Sequence, residues 1–184
     1  MFIQTEDTPN PLTVKFLPGR EVLAQGTASY VPDDIGTAPL LVQKLLTIAG
    51  VVSVFLSGDF ISVTKSADAD WALLRPHILG AIMDYYSRNQ ETLDAGAPAQ
   101  KPTYDAASLS QIEKDIIELL DTRVRPAVAQ DGGDIVFDRF EDGIVYVHLQ
   151  GACSGCPSST LTLKSGVENM LRHYIPEVEE VRAV

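Results

Sequence analysis

The chain has no third cysteine: among its 184 residues, Cys153 and Cys156 stand alone. Two thiols cannot build the multi-bridge framework of a small secreted domain. They also cannot complete a four-thiolate metal centre by themselves, so such a centre needs a second copy of the chain or an outside ligand. Long apolar runs are lacking too. The longest, such as Ala38–Val42 and Val51–Leu56, are far too short to cross a bilayer, so no membrane partner is expected. Residues 1–7 have neither the basic start nor the apolar stretch of a secretion signal, and they are acidic, unlike a transit peptide. The expected setting is the bacterial cytoplasm, or the mitochondrial matrix for a processed organelle protein. Basic residues are scarce, with 14 Lys and Arg against 25 Asp and Glu and a net charge of -11. With no basic run to meet phosphate, no nucleic-acid partner is expected. No Ser-His-Asp set, glycine-rich phosphate loop or paired catalytic carboxylates stand out, so an enzyme in the turnover sense is not expected.

What is present falls into two parts. The stretch 89–107 contains one large aliphatic residue, Leu93, among Gly, Ala, Pro and polar residues, and it reads as a flexible linker. Residues 1–88 open with short extended pieces, at Phe2–Gln4 and Leu12–Leu17. Leu40, Leu41, Lys44, Leu45 and Ile48 follow at helical spacing. Ser57-Gly58-Asp59 then marks a hairpin between Val51–Leu56 and Phe60–Thr64, and Asp68 or Asp70 caps a helix bearing Trp71, Leu74, Ile78, Ile82 and Tyr85. Pro76 falls in the first two turns of that helix and threatens its start. Residues 108–184 begin with Ser108 or Ser110 as cap and a helical face of Ile112, Ile116, Leu119, Leu120 and Val124. A second hairpin turns at Glu141-Asp142-Gly143. A final helix carries Leu163, Val167, Met170, Leu171 and Tyr174, and Val178–Val184 can add an edge strand. The fold class is therefore α+β, with two small layered domains: strands-helix-hairpin-helix, then helix-hairpin-helix-strand.

The cysteines lie in Leu149-Gln-Gly-Ala-Cys-Ser-Gly-Cys-Pro-Ser-Ser159, between a strand and a helix. Small neighbours leave room around both sulfurs, and Gly155 permits a tight turn. Pro157 suits a first helical position, which would set Cys156 near unpaired helix N–H groups that favour a thiolate. Neither thiol is needed for a core on this reading. The bare spacing admits three chemistries: a dithiol–disulfide redox pair, half of a zinc site, or half of an iron–sulfur site. A preceding hairpin, rather than a βαβ unit, weighs against the redox pair. His148 and His173 are the histidines near enough in sequence to complete a Cys2His2 zinc site. Asp131-Gly-Gly-Asp134 reads as a helix-to-hairpin turn; its alternative role is to border the metal site, without either carboxylate serving as a ligand.

Several of these residues carry a resemblance. Arg125-Pro126, Asp131–Asp134, the cysteine segment, Thr162-Leu-Lys164 and Pro176-Glu-Val178 are similar to the NifU C-terminal domain of Nfu-type iron–sulfur scaffold proteins. Thr8-Pro-Asn-Pro11, Lys15-Phe16 and Pro18-Gly19 resemble the N-terminal domain of the same family. The resemblance implies a NifU-like cluster-binding domain over 108–184 and an Nfu N-terminal-type domain over 1–88. It also implies a [4Fe–4S] cluster, with [2Fe–2S] as the alternative, bound by Cys153 and Cys156 from each of two subunits. The loaded protein would be a homodimer that receives the cluster from assembly proteins and delivers it to apoprotein clients. A thiol–disulfide oxidoreductase and a zinc-binding interaction module are the other readings.

Overall fold

The computed structural model describes residues 2–88, 92–93, 108–155 and 157–184. The chain divides into two units, Met1–Gln100 and Lys101–Val184.

In the first unit, five antiparallel strands form a sheet in the order β1-β2-β5-β4-β3: β1 (Gln4–Asp7), β2 (Thr13–Leu17), β3 (Ala28–Tyr30), β4 (Val51–Leu56) and β5 (Ile61–Lys65). Two helices, α1 (Leu40–Leu46) and α2 (Trp71–Arg88), bury Leu41, Val42, Leu45, Ile78 and Ile82 against Val14, Phe16, Val54, Leu56, Ile61 and Val63. Alternation along the strands puts those sheet residues on one face, which is why two helices suffice to cover it. Leu40, expected on the buried face of α1, is 53% exposed, and Val42 takes its place. The Asp70 carboxylate accepts the Ala72 N–H at 2.9 Å and caps α2, so Pro76 does not displace the helix start. The bond that Pro76 cannot donate would have gone to Ala72, whose position is exposed to water.

Most of the linker expected over 89–107 lies outside the described residues. Leu93 does not: it is buried in the first unit's core, and its N–H donates to the Val22 carbonyl at 2.9 Å. Its size explains this, since it is the one large aliphatic residue of the stretch and has apolar area worth burying.

The second unit is a layer of helix on a three-stranded sheet, β6 (Gly133–Glu141), β7 (Ile144–Gly151) and β8 (Glu180–Ala183), with β7 in the middle. Ser110 caps α3 (Gln111–Leu119) through a reciprocal pair: its hydroxyl accepts the Glu113 N–H, and the Glu113 carboxylate accepts the Ser110 N–H. A wide π-helical turn, Leu120–Val124, joins α3 to α4 (Arg125–Gln130). Pro126 has no N–H for the Thr122 carbonyl, and the Arg125 N–H donates five residues back, to Leu120. The wide turn has a packing consequence. Ile116, Leu120, Val124 and Val128 recur every four residues and are all buried. In a regular helix that spacing drifts about 40° per step, and a turn with more residues takes up part of the drift.

The β6–β7 hairpin closes on Asp142-Gly143, both with positive φ (49° and 77°), the mirror-image turn that suits strand twist. Inward residues Ile135, Phe137, Val145, Val147 and Val181 meet Val167, Leu171 and Ile175, the first two lying on α5 (Pro157–Tyr174). Tyr174, expected on that buried face, is 48% exposed. The order helix-hairpin-helix-strand holds, and both units are α+β.

Candidate metal centre

Cys153 sits just past the end of central strand β7, in the loop that enters α5. From α5 the chain returns as β8, which pairs parallel with β7 through Val145↔Val181 and Val147↔Ala183. The cysteine segment therefore does lie in a βαβ crossover, contrary to the expectation from the hairpin alone. Sequence order showed the antiparallel β6 before the motif, but the parallel partner arrives 24 residues after Cys156, at Glu180. Loops at the carboxyl ends of strands in such crossovers are where open α/β sheets hold ligands. Cys156 lies outside the described residues.

The loop is tied down by its own backbone. Ala152 N–H donates to the Gly132 carbonyl at 3.1 Å, and Ser154 N–H to the Gly151 carbonyl at 3.1 Å. Gly151 and Gly155 have φ of 62° and 79°, angles that a side chain disfavours. Cys153 is 7% exposed and belongs to the second unit's core cluster, so the thiol expected to be dispensable for packing is part of it. The reason is Gly133. A β-carbon built there would lie 2.6 Å from Cys153 Sγ and 2.7 Å from the Gln150 carbonyl oxygen. Asp131-Gly-Gly-Asp134 is thus a turn and also the wall against which Cys153 rests. Gly132 is needed for its φ of 80°, Gly133 for space. The sequence held a signal of this, since a turn of this kind explains one glycine and leaves the second without a backbone reason.

The thiolate expected for the segment is that of Cys156, which lies outside the described residues; at Cys153 the electrostatics favour the thiol. Burial, with added repulsion from Asp131 and Asp134, pushes the thiol up to about 12. A nucleophilic thiol needs the opposite shift. A metal ion bound in the proton's place would stabilise the sulfur as thiolate.

Sequence reading gave Arg125 no role at the site. Its Nε and Nη2 donate to Asp134 Oδ1 and Oδ2, each at 2.8 Å, and its Nη1 donates to Asp121 at 3.0 Å. These bonds, those from Asp134 foremost, hold the guanidinium above its ordinary range. The histidines considered for a zinc site have other company. His148 lies 3.3 Å from Asp138 and 3.2 Å from the Val184 carbonyl, and the His173 ring packs edge-on to Tyr174. Among the described residues, no group of three or more His, Cys, Asp or Glu is placed to hold a metal ion, and no helix is long and apolar enough to cross a membrane.

Two family models match the chain: the N-terminal model of scaffold protein Nfu/NifU over residues 3–89, and the NifU-like domain over 116–182. NifU-like protein 4, mitochondrial, of Arabidopsis thaliana is 49% identical over 184 residues, covering 98% of this chain, which spans 65% of that relative's length. The human NFU1 iron-sulfur cluster scaffold homolog, mitochondrial, is 45% identical over 185 residues, covering all of this chain and 72% of the relative. Among solved structures, protein SAV1430 from Staphylococcus aureus is 31% identical, with a TM-score of 0.40 over 45% of this chain and 99% of that one.

Proposed function

Because the chain belongs to the Nfu family of iron–sulfur cluster scaffold proteins, we propose that it holds a [4Fe–4S] cluster through Cys153 and Cys156 of two subunits and passes it to apoproteins. The observation that carries this reading is the thiol count beside the site's construction. Four thiolates are the usual ligands of such a cluster, and one chain has two. Cys153 stands at the rim of the sheet, on a loop of small residues fixed by four glycines.

The cluster is cargo rather than a resident cofactor. Held half by each subunit, it can leave by exchange: an acceptor's thiolates replace one pair, then the other, without unfolding either unit. Cys153 does two jobs in this scheme, binding iron when loaded and filling the space beside Gly133 when empty. Asp131 and Asp134 add negative charge that opposes an anionic cluster-thiolate centre, which favours release over permanent retention. The role is that of a carrier without turnover. Cluster-assembly proteins and apoprotein clients are its partners, and a mitochondrial setting, as in the names of the two relatives, belongs to the proposal. The raised Cys153 thiol speaks against Cys153 as the attacking thiol of a dithiol oxidoreductase.

Native mass spectrometry of anaerobically reconstituted protein tests this reading. The expected species is two chains with one four-iron, four-sulfide cluster, alongside broad visible absorption and about two irons per chain. A colourless zinc-loaded species, a two-iron cluster, or a metal-free monomer that reduces a model disulfide would each overturn it.

A further inference from the structure

The Asp134 side chain is only 4% exposed, yet it is ionisable, and a carboxylate so placed depends on its hydrogen bonds. It has three. Arg125 Nε and Nη2 grip its two oxygens as a fork, and the Ile135 N–H donates to Oδ1 at 2.8 Å. The residues just before it are the ones that seat the cysteine loop. The Gly132 carbonyl receives the Ala152 N–H, and Gly133 faces Cys153 Sγ with no room for a methyl group. One guanidinium therefore joins α4 to the start of β6, and the start of β6 in turn seats the cysteine loop.

We propose that the Arg125–Asp134 fork is a positioning element for Cys153: by clamping the start of β6 it holds Gly133 against the sulfur, and thereby sets how firmly the loop keeps what it binds. Neither residue is a ligand. The part concerning bound cargo rests on the cluster-carrier reading; the part concerning the thiol's seat does not. Arg125 is suited to the task because its planar group makes two parallel bonds to one carboxylate, which a lysine ammonium cannot reproduce. Its third bond, to the exposed Asp121, faces solvent and has no part in the clamp.

The test uses the full chain. With Cys156→Ser, Cys153 is the sole thiol, and its reaction rate with a neutral maleimide is followed in the cluster-free protein at fixed pH. The two-cysteine chain, once loaded, gives the half-time of cluster loss to an iron chelator, and each variant's thermal midpoint is recorded. Arg125→Lys keeps the charge but loses the fork. It is expected to raise the trapping rate about tenfold and shorten the cluster half-time to a similar degree, because a loop without its seat opens more often. Asp121→Asn removes the outer bond alone and should change each by less than about twofold. Should Arg125→Lys fail to fold, Asp134→Glu, which keeps the charge and displaces the carboxylate, is expected to show the same increase. A folded fork variant with unchanged trapping and cluster half-time overturns the proposal. A lowered thermal midpoint with unchanged trapping also overturns it, because the pair would then be a stabilising contact only. If the unaltered chain takes up no cluster, the carrier reading fails, while the trapping comparison still decides whether the fork seats Cys153.

Discussion

Gly133 and Cys153 occupy one shared space: the glycine's missing β-carbon would stand 2.6 Å from the sulfur. The nearest other atoms are backbone, the Gln150 carbonyl oxygen at 2.7 Å and the Cys153 nitrogen at 3.0 Å, so neither can swing aside as a side-chain tip would. Gly133→Ala is expected to cost about 1–3 kcal/mol of stability in the second unit, as overpacking of a tight site does. It should also lower the iron bound on reconstitution. Denaturant unfolding and iron analysis on the same preparation check both effects, and unchanged stability would contradict the close approach.

The two cysteines should separate by their consequences for the fold. Cys153 is a member of the second unit's core cluster, so Cys153→Ala is expected to destabilise by about 1 kcal/mol while leaving a folded chain. Both Cys153→Ala and Cys156→Ala should abolish cluster retention. Circular dichroism melts read the first effect, visible absorption after reconstitution the second. A single-cysteine variant with full colour would remove the four-thiolate scheme.

Asp131 contributes negative charge at Cys153 without a part in the Arg125 fork. Asp131→Asn should therefore retain the cluster several-fold longer against a chelator, with the gap narrowing as salt is added, since an exposed charge is screened. Faster loss in this variant would reverse the sign argued here.

The reciprocal cap at the start of α3 offers a control far from the thiols. Ser110→Ala leaves the Glu113 N–H without its acceptor and should cost about 1 kcal/mol. Cluster content after reconstitution should stay at the level of the unaltered chain, and a parallel fall in iron would couple the arm's end to the site.

Much of this architecture was legible in local pattern. Asp142-Gly143 declared its hairpin because few residue pairs accept two positive φ values in succession, and Ile78 and Ile82 declared the buried face of α2 by spacing. The cysteine segment stood out as a candidate site, since two thiols separated by two residues have few uses. Features fixed by distant partners were harder to read. Short β3 pairs with β4 across an intervening helix, and three residues carry too little pattern to announce a strand. The parallel pairing of β8 with β7 is decided by how α5 lies on the sheet, so the crossover around Cys153 stayed hidden. Arg125 and Asp134 were visible as motif residues, but only three-dimensional contact shows the fork between them.

The wide turn at Leu120–Val124 gears the helical arm to the sheet. Were it rewound to an ordinary pitch, residues beyond it would rotate about the arm's axis relative to those before it. Ile116 could then keep its seat only if Val128 and Arg125, both beyond the turn, swung away from theirs, or the reverse. If the fork seats Cys153 as proposed, a change at Pro126, where a restored donor would invite such rewinding, is expected to reach the sulfur through the phase of a helix.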